Sequence, residues 1–231
     1  MPCALMKGMK SVMKEIHVEA NENGEASVHE KSWFTEAFEW IACFFIAFVI
    51  AVLVRYFLFT PTLVSQTSMI PTILDGERVL INRTVRTFKL PLYRGDIITF
   101  ERPIGTADGV GIYNTSASVY EFLMHDVLEI SKVSYIKRVI GIGGDHVEIR
   151  NGNVYVNEQK QAEVYLNGIE TPITGDYYDI TVPDGYVFVM GDNRGGSSDS
   201  REFGCIPLEK VEGRVKYRIW PLSRFGKIDA N

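Results

Sequence analysis

The chain has only three cysteines, and no two of them share a segment: Cys3 lies near the N-terminus, Cys43 in an apolar run and Cys205 far downstream. That spacing gives no disulfide framework, and it neither requires nor excludes an oxidising compartment. All three read as small, unpaired apolar side chains. Basic runs are missing as well. With 24 Lys and Arg against 29 Asp and Glu the formal net charge is -5, and without a basic stripe, a helix-turn-helix or zinc-finger spacing the chain has no nucleic-acid partner. Internal repeats and low-complexity tracts are absent. The only linker is the short stretch that follows the apolar run. A length of 231 residues suits one substantial domain with appendages, and 46% hydrophobic residues are ample for its core.

What the chain does have, early on, is a long hydrophobic run. Trp40 to Phe59 reads WIACFFIAFVIAVLVRYFLF, 20 residues broken only by Arg55, and a helix of that length spans about 30 Å of hydrocarbon. The unbroken part, Ile41 to Val54, is 14 residues long, a length that also suits a buried helix or the core of a signal peptide. Arg55 decides between these readings. It stands near the segment's end, where its guanidinium can snorkel to the interface, and Trp33, Trp40 and Tyr56 suit the two headgroup zones. A cleaved signal peptide fits poorly, because about 40 residues precede the run and Phe57 to Pro61 offers no small-residue cleavage site. A retained, single-pass transmembrane helix over 38–59 is the expectation. Lys7, Lys10, Lys14 and Lys31 lie before it and Arg78, Arg83 and Arg86 after it, so charge alone leaves its orientation open.

Residues 1–37 form a tail that reads as largely disordered, although Met6, Met9, Met13 and Ile16 recur at the spacing of a short interfacial helix. After Thr60 the texture becomes β-rich. Strands are expected at Arg78–Asn82, Asp96–Phe100, Tyr135–Ile140, His146–Arg150, Asn153–Asn157, Tyr186–Met190 and Gly213–Trp220, with Asn151-Gly152 as a hairpin turn. The fold class is therefore mainly β: one N-terminal transmembrane helix followed by an all-β domain over 60–231. Residues 104–134 interrupt the pattern. There Val119, Phe122, Leu123, Val127 and Ile130 share one face of a short helix, which reads either as a lid or membrane-skimming element or as a surface excursion packed on the sheet.

Three polar stretches carry the chemistry. Ser68 stands in Ser65-Gln66-Thr67-Ser68-Met69-Ile70-Pro71-Thr72, just beyond the apolar run. A serine hydroxyl becomes a competent nucleophile when a base removes its proton, and a neutral lysine amine serves when burial lowers its pKa. Bringing a lysine from about 10.4 to near 7 costs roughly 4 to 5 kcal/mol, which apolar surroundings can supply. Lys137 is the candidate base. On a strand it shares a face with Tyr135 and Val139, and taken alone it reads equally as a surface lysine on an edge. The third stretch, Gly191 to Gly204, packs Asp192, Arg194, Asp199, Arg201, several hydroxyls and four glycines into 14 positions. This density suits a hydrogen-bonded loop supporting a site. A metal loop or a solvated turn are the alternatives, and the spacing is not that of an EF-hand.

Together these stretches resemble the type I signal peptidases, membrane-anchored serine proteases that remove signal peptides from exported proteins. The resemblance runs from Trp40 to about Ile228 in the family's order: membrane helix, Ser-Met-x-Pro-Thr from Ser68, Arg94-Gly95-Asp96-Ile97-Ile98-Thr99-Phe100, Lys-Arg-Val-Ile-Gly from Lys137, then Gly-Asp-Asn-Arg and Ser-x-Asp-Ser-Arg. It implies Ser68 as nucleophile and Lys137 as general base, with Ser197 orienting the lysine amine. Asp199, Arg201, Asp192 and Arg138 would form the salt-bridged support. The Ser68 backbone N–H would be the oxyanion donor, and Val64, Met69, Tyr135 and Ile136 would line small apolar pockets that fit Ala-x-Ala before a cleavage site. The chain departs from the pattern in two places. Gln66 stands where the family usually has Ser or Gly, leaving open whether its amide or the Thr67 hydroxyl is a second oxyanion donor, and Ile142-Gly143-Gly144-Asp145 lacks the family's usual Pro.

The implied activity needs no metal and no cofactor. The implied partners are preproteins bearing signal peptides and the lipid bilayer, close to the secretion machinery, with the N-terminus cytoplasmic and the catalytic domain outside the plasma membrane. Nothing here bears on oligomeric state. Other readings carry less weight. Ser134-Tyr135-Ile136-Lys137 matches the Ser-x-x-Lys of penicillin-binding enzymes, but their companion motifs are missing and Ser134 and Lys137 would face opposite sides of a strand. Self-cleaving repressors with a Ser/Lys dyad carry a DNA-binding domain that this chain lacks. His125 and His146 stand in no recognisable motif. The non-enzymatic rival is an inactive membrane-anchored binding or assembly factor, whose mark would be loss of Ser68 or Lys137; both are present.

Overall fold

The computed structural model describes residues 18–20, 26–28, 33–113 and 134–228. The expected interfacial helix around Met6 to Ile16, the helix over 118–130, Cys3 and His125 all lie outside them. Within the tail, β1 (Val18–Ala20) pairs antiparallel with β2 (Ala26–Val28), a short hairpin where the sequence suggested no regular structure.

Helix α1 spans Trp33–Phe57, starting earlier than the apolar run alone indicated. Glu36 in its first turn and Arg55 in its last complement the helix dipole. It is long and apolar enough to cross a membrane, and none of its apolar stretch is buried against protein. Phe38, Phe44, Phe45 and Phe48 are all well exposed. A soluble core helix would hide such a surface.

From Phe59 onward the chain is a β domain. The principal sheet is built from β3 (Phe59–Leu63), β4 (Arg78–Asn82), β5 (Ile97–Glu101), β8 (Ser134–Ile142), β13 (Tyr186–Met190), β14 (Ile206–Pro207) and β15 (Val211–Trp220), in the order β14-β13-β8-β5-β15-β4-β3, with β16 (Gly226–Lys227) also pairing with β15. A smaller sheet orders β11 (Gln159–Lys160), β10 (Asn153–Val156), β9 (His146–Arg150) and β12 (Asp179–Thr181) as β11-β10-β9-β12. Asn151 and Gly152, at φ 50° and 73°, form the turn between β9 and β10. This is the left-handed geometry that an Asn-Gly hairpin supplies.

Strand alternation shapes the core. Val79 and Ile81 of β4 point inward and join Val64, Met69, Ile73, Ile97, Ile136 and Val215 in one cluster. A second cluster holds Ile98, Phe100, Val139, Val187, Val189 and Phe203, with Tyr135 packed against it. Strand β8, flanked by β5 and β13, is therefore covered on both faces and buried from Ile136 to Gly141. An edge position for Lys137 is ruled out. Residues 104–113 form a small hairpin of β6 (Gly105–Ala107) and β7 (Val110–Ile112), tied by backbone bonds between Gly109, Gly111 and Cys205. Cys205 itself is fully buried, and burial pushes its thiol up to about 12, as befits a small apolar side chain.

Candidate active site

Ser68 follows β3 on a turn where the Ile70 N–H donates to the Thr67 carbonyl and the Ile73 N–H to that of Met69. Fully buried Met69 and Ile73 anchor this turn in the core. The loop after β13 holds it from the other side. Asn193 donates its backbone N–H to the Ser68 carbonyl at 3.0 Å and its side-chain amide to the Thr67 carbonyl at 3.2 Å. Among the described residues the Ser68 backbone N–H has no acceptor.

Lys137 comes to this turn from the middle of β8, with 1% of its surface exposed. Its Nζ lies 2.7 Å from Ser68 Oγ, donates to the Ile136 carbonyl at 3.1 Å, and sits 4.9 Å from the centre of the Tyr135 ring. Burial lowers its pKa from 10.5 to about 8, against the opposing pull of Asp199 and Asp192. Both carboxylates are fully buried and have arginine partners, which limits that pull. Asp192 accepts from Arg138 Nε at 2.9 Å and Nη2 at 2.7 Å, and from the Thr72 hydroxyl. Asp199 accepts from Arg201 Nε and Nη2, each at 2.8 Å, and from the Gly191 N–H at 3.0 Å. Bidentate pairing of this kind satisfies charges that could not otherwise be kept out of water.

The ion pairs are built into the loop geometry. Asp199 caps α2 (Ser200–Phe203) by accepting from the Arg201 N–H, while Arg201 reaches back to the carbonyls of Arg194 and Pro172. The Arg138 guanidinium carbon lies over the Tyr165 ring, 3.8 Å from its centre. Gly191 is required by close approach: a Cβ there would overlap the Ser197 hydroxyl and the Ser68 carbonyl.

Ser197 differs from expectation. Its hydroxyl is buried beside Gly191 but makes no hydrogen bond to Lys137, or to any other group among the described residues. The Lys137 amine is positioned by Ser68 and the Ile136 carbonyl instead. Gln66 donates its side-chain amide to the Ser134 carbonyl at 3.4 Å, the long limit of a hydrogen bond. It thus borders a groove of about 510 Å³ along Pro61 to Gln66, which Val64 and Ile136 also line. The other two residues assigned to pockets do not line it. Met69 is fully buried in the core, and Tyr135 packs edge-on against Phe100. His146 pairs with Asp179 at a partly exposed position, apart from this cluster. No group of three or more His, Cys, Asp or Glu suited to a metal occurs among the described residues.

Tyr165 and Glu163, which pairs with fully buried Arg194, carry no signal in the sequence and are brought in by folding. Thr72 and Asn193 stand in the sequence only as letters of a motif.

Comparison with known proteins agrees over most of the length. The family model for signal peptidase, peptidase S26, matches residues 37–220. Signal peptidase I of Bacillus licheniformis is 35% identical over 213 residues, covering 89% of this chain and 98% of that protein. Signal peptidase IB of Staphylococcus aureus (strain Mu50) is 36% identical over 205 residues, covering 82% and 93% respectively. A signal peptidase I crystal structure from Enterococcus faecalis V583 aligns with 54% of this chain and 97% of its own at 29% identity, with a TM-score of 0.38. The chain therefore belongs to the signal peptidase family, peptidase S26, and is a serine endopeptidase.

Proposed function

We propose that this endopeptidase removes N-terminal signal peptides from exported preproteins, using Ser68 as nucleophile and Lys137 as general base. The observation that carries the reading is the 2.7 Å contact between Ser68 Oγ and a lysine amine buried enough to titrate near 8. At pH 7 about a tenth of such an amine is neutral, against well under a thousandth for a free lysine.

In the forward step Ser68 Oγ attacks the scissile carbonyl carbon while its proton passes to Lys137 Nζ. The resulting oxyanion accepts from the Ser68 N–H. Gln66 stands two residues before it as a further candidate donor. Lys137 then gives its proton to the leaving amine, the C–N bond breaks, and a Ser68 acyl ester remains. Water then attacks the ester carbonyl carbon while its proton passes to Lys137, the acyl C–O bond breaks to release the carboxylic acid product, and Lys137 returns that proton to Ser68 Oγ. Asp192, Arg138, Asp199 and Arg201 hold the dyad's backbone, and Ser197 packs beside Gly191 and the Ser68 carbonyl without a hydrogen bond to either dyad side chain. The groove at Val64 and Ile136 favours small residues before the cleavage site.

Residues 1–37 form the cytoplasmic tail, 38–59 the membrane anchor and 60–231 the catalytic domain outside the plasma membrane, near the secretion machinery. Anchoring brings a nucleophile close to the bilayer to substrates tethered in the same surface. The test is cleavage of a preprotein with an Ala-x-Ala site by the detergent-solubilised chain, with Ser68→Ala and Lys137→Ala as controls. Each variant should stay folded and lose activity by at least about a thousandfold, as removal of a nucleophile or base does. Full activity in either would overturn the dyad. Protease protection in sealed vesicles tests the topology.

A further inference from the structure

Residues 64–77, which carry Ser68, form a loop closed at its neck. The Val64 N–H donates to the Glu77 carbonyl and the Gly76 N–H to the Val64 carbonyl, each at 2.8 Å. The Glu77 side chain is buried at this neck, and its carboxylate takes three donors. They are the Leu74 N–H at 3.1 Å, Arg218 Nε of β15 at 2.7 Å, and Arg224 Nη1 of the following 3-10 turn, Leu222–Arg224, at 2.6 Å.

Arg218 does more than neutralise Glu77. Its Nη2 donates to the Thr72 carbonyl at 2.6 Å and its Nη1 to the Arg224 carbonyl at 3.2 Å, so one planar fork joins the turn after β15 to the middle of the loop. The hydroxyl of the same threonine donates to Asp192 Oδ2, on the carboxylate that Arg138 grips. Thr72 therefore bonds to two ion-pair clusters, to one through its carbonyl and to the other through its hydroxyl. It stands four residues after Ser68, and its neighbours in the loop, Met69 and Ile73, are fully buried. A shift at Thr72 is passed to Ser68 through this packed turn.

We infer that Thr72 is a positioning residue for the reaction, coupling the Arg218–Glu77–Arg224 cluster to the Arg138–Asp192 pair and so fixing Ser68 against Lys137. The inference rests on Ser68 and Lys137 being the dyad. Without the Thr72 hydroxyl the loop loses its tie to Asp192, and Ser68 Oγ leaves its 2.7 Å contact with Nζ. The charged groups around Lys137 are Asp199 with Arg201 and Asp192 with Arg138, while Arg194 also acts on Asp192 by charge. The Tyr135 ring lies beside the amine, and the residue opposite Lys137 on β5 is the apolar Ile98. Of these groups Asp192 alone loses a donor when the hydroxyl goes, which strengthens its pull on the Lys137 charge.

The test measures kcat and KM per folded enzyme for the full chain in detergent, on a preprotein with an Ala-x-Ala site, across the pH range in which the lysine titrates. Thr72→Val keeps the side chain's shape and removes its hydroxyl. It should lower kcat about tenfold with KM unchanged, and the rise of kcat/KM with pH should move to higher pH. Thr72→Ser retains the hydroxyl and should keep most of the wild-type kcat and pH profile. Arg218→Lys leaves a cation beside Glu77 that cannot span both groups, so kcat should fall and the profile should move the same way. The double variant should match the worse single variant to within about twofold, as two changes on one path do.

Losses that multiply in the double variant would overturn the coupling. A folded Thr72→Val with wild-type kcat and pH profile would overturn it too, as would a loss that reflects only less folded protein. If Thr72→Val does not fold, Arg218→Lys decides alone, and a wild-type kcat and profile there would count against the inference. Full activity in Ser68→Ala would instead sink the dyad assignment.

Discussion

Arg138 and Asp192 face each other with both guanidinium edge nitrogens on both carboxylate oxygens, and neither side chain is exposed to solvent. Arg138 is the residue after Lys137, and Asp192 is the residue before Asn193, which grips the Ser68 carbonyl. One ion pair thus ties the strand carrying the candidate base to the loop that fixes the candidate nucleophile. Asp192→Asn should destabilise the domain by about 3 to 5 kcal/mol, because it leaves Arg138 charged and buried without its partner. Urea unfolding of the variant, with activity read on the fraction that remains folded, measures this.

The pH dependence has a definite sign. In the proposed mechanism a neutral amine accepts the Ser68 proton, and burial lowers the Lys137 pKa to about 8, so kcat/KM should rise with pH, tenfold per unit below the midpoint, and level off above it. Loss of Arg201 would leave Asp199 unneutralised and strengthen its pull on the Lys137 charge. In Arg201→Gln the rise should move to higher pH. A wild-type limb centred near 10 would mean that burial does not tune this lysine.

The same lysine should cost stability. Its pKa is 10.5 in the unfolded chain and about 8 when folded, so unfolding takes up a proton between those values and stability increases with pH across that window. Below about pH 8 the full penalty applies, up to about 3 kcal/mol. Lys137→Met should therefore be inactive yet more heat-resistant at pH 7, with the advantage disappearing above about pH 10.5. Thermal melts of wild type and variant at pH 7 and at high pH test this, and a variant less stable than wild type at pH 7 would contradict it.

Gly191 should not tolerate a methyl group. A Cβ would overlap the Ser68 carbonyl and the Ser197 hydroxyl, and backbone on one side cannot yield cheaply. Gly191→Ala should lower kcat by at least about tenfold through displacement of Ser68, consistent with the sensitivity of catalysis to small misplacements. Steady-state kinetics with a circular-dichroism check separates this from unfolding.

Local sequence was a good guide where a single chemical pattern controls the outcome. Alternation in Arg78–Asn82 and His146–Arg150 fixed those strands to the residue, and Asn151-Gly152 fixed the turn after the latter. The apolar run fixed α1, but its start at Trp33 lies ahead of the densest hydrophobic stretch, because helix propagation continues through Glu36 and Glu39 as readily as through apolar residues. Ser68, Lys137 and the Asp192 to Arg201 loop were recognisable as an ordered set of motifs before their distances were known.

What the residues alone determined was the inventory: a membrane-length helix, a β domain, a serine, a lysine and a charged glycine-rich loop. Whether Lys137 was a surface residue or a buried lysine depended on β8 lying between β5 and β13, a matter of long-range pairing that no local pattern encodes. Tertiary structure likewise buried Met69, turned Tyr135 onto Phe100, left the Ser197 hydroxyl without a partner among the described residues and brought Thr99 into a groove with Ser134 and Glu212. Desolvation and contact arise from residues far apart in sequence, and these set a lysine's charge and a groove's polarity. That is why the candidate nucleophile's position could be read from the chain, while the lowered pKa of its lysine neighbour and the shape of the adjoining groove depended on the fold.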